Sequence, residues 1–246
     1  MPVEFIADLH IHTCLSPCAD LSMTPADIVE KSLSLGINII AVCDHNSVEN
    51  VEVTQNIGEK KGLKVIPGLE ICSSEEVHML GLFGNIDSAL KMQSIVYENL
   101  QPGENDEDKF GMQIIVNEID EVLGFNKRLL IGSTNLSINR IVELIHSFNG
   151  LAIASHIDRE GYGIIGQLGF IPPELDLDAL EISYKLRPDD ARSKYNMHEN
   201  IPWVSSSDAH HIKDVGRRTT GFYMNHSTFE EISLTLKGVG DRKVVF

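Results

Sequence analysis

Sixteen positions, "FIADLHIHTCLSPCAD" (residues 5–20), hold two histidines, two cysteines and two aspartates behind an apolar start. Three chemistries are open to such a set. One is a zinc site built from His10, His12, Cys14 and Cys18; another is a disulfide; the third is a harder metal centre using imidazole and carboxylate. His10 and His12 stand two apart, so a strand would project both rings to one side. The same residue types recur later: His45 in "AVCDHN", Glu70 in "GLEIC", His78 in "EVHMLGLF", His156 in "AIASH", and Asp208 with His210 in "SSDAH". Each falls at or just after an apolar run, where a bare carboxylate or imidazole needs a partner. A donor set of imidazoles and carboxylates suits zinc, manganese or iron. One zinc ion takes about four ligands, so a set this large implies two or three divalent ions sharing a bridging carboxylate. Such a cluster serves in-line displacement at phosphorus, where it activates a bridging water and clamps the phosphoryl oxygens.

The elements that must carry these residues alternate. Residues 3–8, 37–46, 63–72, 76–83, 150–156, 177–184 and 201–210 read as strands ending in polar residues. "MTPADIVEKSLSLG" predicts a helix with Thr24 as N-cap, Pro25 at the first helical position and Gly36 as the stop. A polar helix follows over roughly 48–61. Ser227 or Thr228 can cap a last helix that stops at Gly238, and "RKVVF" reads as a terminal strand. The stretch 86–149 reads as mostly helical, an elaboration outside the sheet and not a second domain, so residues 1–246 form one domain. Strands alternating with helices imply parallel pairing, and catalytic residues then gather at the carboxyl ends of the strands.

The chain has 246 residues, 20 basic and 36 acidic, for a formal net charge of −16. That balance argues against nonspecific binding to duplex nucleic acid, which needs basic groups to neutralise phosphates. It leaves room for a small phosphorylated molecule or a short single-stranded oligonucleotide, because bound cations reverse the local field. No run approaches the ~18 apolar residues of a membrane span, and the N-terminus lacks a signal-peptide pattern. A cytoplasmic location is expected, in which four cysteines are not a disulfide framework. Oligomeric state is not readable.

The ordered set "DLHIHT", "AVCDHN", "GLEI", "EVHMLGLF", "ASHIDR" and "SSDAH", spanning residues 8–210, resembles the PHP (polymerase and histidinol phosphatase) domain family, in its stand-alone phosphoesterase branch. The resemblance implies an α/β fold, a distorted (β/α)7 TIM-like barrel with an inserted helical segment, carrying a trinuclear metal site. Carried over by motif, one ion is held by His10, His12, Glu70 and Asp208. A second shares Glu70 and adds His78 and His156. The third takes Asp20, His45 and His210. The family's early ligand follows the His-x-His by about half a dozen residues. Asp20 follows His12 by eight, so "CLSPCAD" reads as a short insertion with Cys14 and Cys18 as loop residues. Arg159, three residues after His156, matches a phosphate-contacting position; its alternative is a surface pair with Asp158 or Glu160. Arg192, Arg217 and Arg218 are further candidates. Asp8 and Asp44 are placed to orient imidazoles, while His146, His198, His211 and His226 read as surface or structural.

The expected reaction is hydrolysis of a phosphate ester by a metal-bridged hydroxide, with Glu70, Asp208 and His210 as the catalytic residues. Three readings stand beside one another. The first substrate class is a nucleotide such as a nucleoside bisphosphate, or a short oligonucleotide. The second is histidinol phosphate. The third is a non-catalytic metal-binding or regulatory module, distinguishable by a metal count.

Overall fold

The computed structural model describes residues 1–195, 198 and 200–245. In chain order its elements are β1 (Val3–Ile11), α1 (Pro25–Ser34), β2 (Ile39–Val42), α2 (Val51–Lys61), β3 (Lys64–Cys72), β4 (His78–Leu82), α3 (Ile86–Asn99), α4 (Glu107–Phe110), β5 (Ile114–Val116), β6 (Val122–Phe125), α5 (Ile138–Ser147), β7 (Leu151–Ala154), α6 (Ile164–Leu168), β8 (Ala179–Ile182), α7 (Pro188–Tyr195), β9 (Trp203–Ser205), β10 (Thr220–Met224), α8 (Phe229–Leu236) and β11 (Lys243–Val245). Of the terminal "RKVVF" strand, Phe246 lies outside the described residues.

Local signals explain the helices that matter most. The Thr24 hydroxyl accepts from Asp27 N at the start of α1, Pro25 opens the helix, and Gly36 ends it at φ +73°. Thr228 caps α8 in the same way through Glu231 N. A side-chain oxygen there satisfies an amide that has no intrahelical partner.

The main sheet runs β11-β10-β1-β2-β3-β4-β7-β8-β9. Its two flanks approach each other: Ile11 bridges Ala209, and Ser205 N donates to Thr220 Oγ1 at 2.7 Å. The result is a nearly closed, distorted barrel. β1–β2, β2–β3, β7–β8 and β8–β9 pair in parallel, but β4 is antiparallel to both β3 and β7. The expectation of parallel pairing therefore fails at β4, because only the short turn 73–77 separates it from β3, too little for a crossover. The stretch 86–149 also departs from its helical reading. α3 and α5 cover the sheet, but β5 and β6 form a separate antiparallel hairpin between them.

Period-two alternation in the strands sorts the core into two layers. Ala7, Leu9, Ile39, Ala41, Ile66, Leu80, Leu82, Ile153, Ala179, Val204 and Phe222 pack inside the barrel. Ile40, Val42, Val65, Leu69, Ala154 and Leu180 face the helices. Gly68 keeps the interior closed-packed, since a Cβ there would meet Cys43 Sγ and Leu82 Cδ2, each at 2.8 Å.

Candidate metal centre

The interior rows that begin with these aliphatic residues end in ionisable ones. Along β2 and its extension the row is Ile39, Ala41, Cys43, His45; along β3 it is Ile66, Gly68, Glu70; along β8 it is Ala179, Glu181. β4 runs the other way, so its first residue, His78, sits opposite Cys72 at the same end of the barrel. That is why His78 opens a strand where the other ligands close one. In β1 the register shifts between Asp8 and Ile11, and this bulge lets Leu9 remain in the core while His10 and His12 both reach the cluster.

Glu70 is the hub. Its Oε1 lies 3.0 Å from His78 Nδ1, 3.1 Å from His156 Nε2 and 3.5 Å from His10 Nε2. Its Oε2 lies 3.2 Å from His45 Nδ1 and 3.5 Å from His12 Nε2. Asp208 Oδ1 stands 3.3, 3.6 and 3.5 Å from His12, His10 and His210. Burial alone raises a carboxyl pKa. Here the surrounding imidazoles, with His78 leading for Glu70 and His10 for Asp208, overcome it and hold both carboxyls well below their usual range. Burial also dominates at His12, pushed down to about 3 with His210 adding, and at His45, held well below its usual value. Rings of that kind are neutral, as ligands must be. His10 goes the other way, because Glu181, Glu70 and Asp208 outweigh its burial.

Three groups converge to within 4.8 Å: His10, His12 and Asp208; His45, Glu70 and His78; and His12, His45 and His210. The donor set is all imidazole and carboxylate, the chemistry of a multinuclear divalent-metal site. The imidazole nitrogens His10 Nε2 and His12 Nε2 face each other at 3.1 Å with both rings fully buried, an approach that fits a cation held between them. The backbone is strained at two of these positions, His156 at φ +28° and Asp208 at φ +48°, as positioned functional residues often are.

Asp20 is not part of this cluster. It is exposed, accepts from Ser22 N and Ser22 Oγ, and comes no nearer a ring than 3.9 Å, to His211. The zinc arrangement of two histidines and two cysteines is also excluded by geometry, since Cys14 is buried against Ile114 O and Asn50. All four cysteines are free. Arg159 turns away from its sequence neighbours: it pairs with Asp208, while Asp158 is taken up by Ser183. Arg217 donates to the Ser207 and Asp208 carbonyls, and Arg218 to Leu186 O. Arg192 pairs with Asp189 on α7. His146 bonds to Asp178, away from the cluster.

Supporting residues surround the ligands. Asp44 accepts from Thr13 N, Thr13 Oγ1 and Ser16 Oγ, each at 2.7 Å, and Ser16 Oγ sits 2.9 Å from His12 Nδ1. Asp8 accepts from Ser207 N and Gly216 N. Burial pushes both aspartates up to about 6 against these hydrogen bonds. Glu181 was missed from sequence. It lies 3.0 Å from His10 Nδ1 and accepts from His156 N, so it orients one ring and the backbone of another. Its signal was present: like Glu70, it interrupts an apolar strand run. Tyr162 was also missed; it stacks on His78 with centroids 4.4 Å apart. The cleft above the cluster, about 220 Å3, is lined by Cys18, His45, Glu70, His78, Ile131, His156, Arg159, Tyr162, Asp208 and His210.

Known proteins show the same arrangement of chain. A model of the PHP domain matches residues 8–184, and one described as PHP-associated matches 193–237. A 5′-3′ exoribonuclease of Haemophilus influenzae is 30% identical over 78 residues, covering 30% of this chain and 27% of the relative. A phosphoribosyl 1,2-cyclic phosphate 1,2-diphosphodiesterase of Eggerthella lenta is 28% identical over 82 residues, 31% of this chain and 30% of its own. The matches thus span less than a third of either relative. Among solved structures, the lesion-specific endonuclease Q of Pyrococcus furiosus superposes with a TM-score of 0.78 at 21% identity, over 98% of this chain and 58% of its own. An endonuclease Q complex with a 27-mer duplex carrying an abasic lesion gives 0.76 at 21%, with the same coverage. At that identity the likeness establishes the fold. Among the described residues no helix is long and apolar enough to cross a membrane. With a family match over most of its length, and with the barrel and the strand-tip cluster that the match entails, this chain belongs to the PHP domain family.

Proposed function

We propose that the protein is a metal-dependent phosphoesterase that hydrolyses a phosphate ester of a nucleotide or a short oligonucleotide. The observation that carries the reading is the Glu70 carboxylate, buried with five imidazoles 3.0–3.5 Å from its two oxygens. Residues 1–246 act as one unit in this reading, and His10, His12, His45, Glu70, His78, His156, Asp208 and His210 hold two or three divalent ions of zinc, manganese or iron. Bound ions of this kind supply Lewis acidity toward phosphoryl oxygens and lower the pKa of water.

The chain's own residues have separable tasks. Arg159 stands over the cleft with a planar guanidinium suited to two phosphate oxygens, and Asp208 holds it there. Glu181 and Ser16 fix the orientation of His10 and His12 through their outward nitrogens. Ile131 and Tyr162 border the cleft and limit its width. Nucleic-acid substrates are supported by the relatives named as an exoribonuclease and as endonuclease Q, one of the latter in complex with a 27-mer duplex substrate. Duplex substrates therefore belong in the test despite the net charge of −16.

The test loads the protein with Mn2+ or Zn2+. It is offered a nucleoside 3′,5′-bisphosphate, a 5′-labelled single-stranded oligonucleotide, the matching duplex and histidinol phosphate. Metal-dependent release of phosphate or nucleotide from the first two is expected. Turnover confined to histidinol phosphate would replace the substrate class, and metal uptake without hydrolysis of any phosphate ester would replace the enzyme with a binding module.

A further inference from the structure

The turn after His12 decides which side chain faces the cluster. Ser16 N donates to Thr13 O and Ala19 N to Ser16 O, each at 3.0 Å, while Asp20 N donates to His210 O at 2.8 Å. Ser16 is buried in this turn and tied to Asp44. The chain therefore arrives at Asp20 with its carboxylate already outside, bonded to Ser22. Two residues earlier Cys18 lines the cleft, its Sγ 3.2 Å from His45 Nε2.

A cysteine alone would mean little. This one stands against His45, a member of the group His12, His45 and His210, whose nitrogens converge within 4.8 Å. Of the three groups it is the one without a carboxylate. Two ligands of one tetrahedral zinc ion, sulfur at about 2.3 Å and nitrogen at about 2.0 Å, lie roughly 3.5 Å apart. The Cys18–His45 separation falls close to that spacing. A second sign lies in the same group: His12 Nε2 faces His10 Nε2 at 3.1 Å with both rings fully buried, an approach of two ring nitrogens that a cation between them satisfies.

We infer that Cys18 is the fourth ligand of the ion held by His12, His45 and His210, in the place that Asp20 was expected to fill. One sulfur and three nitrogens make a borderline-soft site that favours zinc or ferrous iron over magnesium or calcium. The two sites containing Glu70 or Asp208 keep carboxylate oxygen. The cluster is thus chemically graded, with its softest position at the mouth of the cleft. This inference rests on the multinuclear reading of the centre.

Cobalt(II) reports the sulfur directly, because a thiolate bound to cobalt gives a near-ultraviolet charge-transfer band that imidazole and carboxylate do not. Cobalt-loaded wild-type protein is expected to show the band, and Cys18→Ser to lose it together with one ion per chain. Asp20→Ala and Cys14→Ser should keep both. Cys18→Asp should recover the lost ion without the band, which separates loss of a ligand from loss of the fold. Cobalt uptake by wild type with no such band, or an unchanged band and metal count in Cys18→Ser, overturns the assignment of Cys18 alone. Wild-type protein that takes up no cobalt overturns the metal centre as well.

Discussion

Two ionic assemblies occupy opposite ends of β1 and are built on opposite terms. At the carboxyl end, Glu70 and Asp208 sit among six imidazoles. At the amino end, near the Val3–Met224 pair, Glu231 meets Arg242 through two parallel hydrogen bonds of 2.7 and 2.9 Å and also accepts from Asn225 N. The second assembly is complete within the protein, with charges matched one to one. The first crowds imidazoles around buried carboxylates, and packing of this kind is costly unless cations join it. The difference teaches which ionic groups stabilise the fold and which await a ligand.

The sharpest way to break the contrast is to remove the hub. Glu70→Ala takes away the one carboxylate near five rings. Metal content should fall by at least one ion per chain, and phosphoesterase activity by at least about a thousandfold, equivalent to several kcal/mol of charge stabilisation. Plasma emission spectrometry beside a phosphate-release assay checks it. Normal metal content in that variant would falsify the bridging role.

Chelation separates the two assemblies without mutation. Ions at about 100 times their dissociation constant stabilise by about 2.7 kcal/mol, so EDTA should lower Tm by roughly 5–10 °C in a chain of this size, and added Zn2+ or Mn2+ should restore it. Differential scanning calorimetry reads this. A Glu231→Gln background should show the same metal-dependent shift, because its clasp lies at the far end of β1.

Smaller effects come from the groups around the ligands. Glu181→Gln leaves His10 Nδ1 beside a neutral amide, and metal affinity should weaken about 10–100-fold with the fold intact. Competition against a coloured chelator measures it. Arg159→Lys keeps the charge and loses the fork, so KM should rise more than kcat falls. An unchanged KM would remove Arg159 from substrate binding.

The same contrast governs what could be read in advance. A histidine or carboxylate closing a β-branched run is visible without coordinates, because period two carries the row Ile39, Ala41, Cys43 on to His45. By that logic Glu181, within the apolar run of β8, is equally visible. The expectation that Asp20 reaches the cluster fails for a reason the sequence does not display, since its position depends on a turn fixed by Ser16, Asp44 and the His210 carbonyl, two of them distant in sequence. The β5–β6 hairpin was hidden in a segment whose apolar runs are too short to separate strand from helix by period. Its turn is held by Asn117, whose side chain accepts from Ile119 N and Glu121 N. The antiparallel course of β4 follows from a short connection that the sequence does display, at residues 73–77.

The weakest predicted effect tests the complete assembly. Arg242 and the Asn225 amide bring Glu231 down to about 2 from an ordinary 4.5. A carboxyl depressed on folding adds stability above its unfolded value and loses it as pH falls through the folded one. The clasp should therefore contribute in full above pH 4.5 and fade toward about pH 2. Glu231→Gln keeps the shape and drops the charge, at a cost of about 1 kcal/mol, or about 2–4 °C in Tm. Urea melts of both proteins should show a gap that is constant above pH 4.5 and narrows below it. The metal-loaded cluster answers acid differently, because protons compete with ions for every imidazole. Its loss should vary with free metal concentration, while the Glu231 gap should not. A gap that widens on acidification, or one that moves with added Zn2+, would mean that the two ends of β1 are coupled after all.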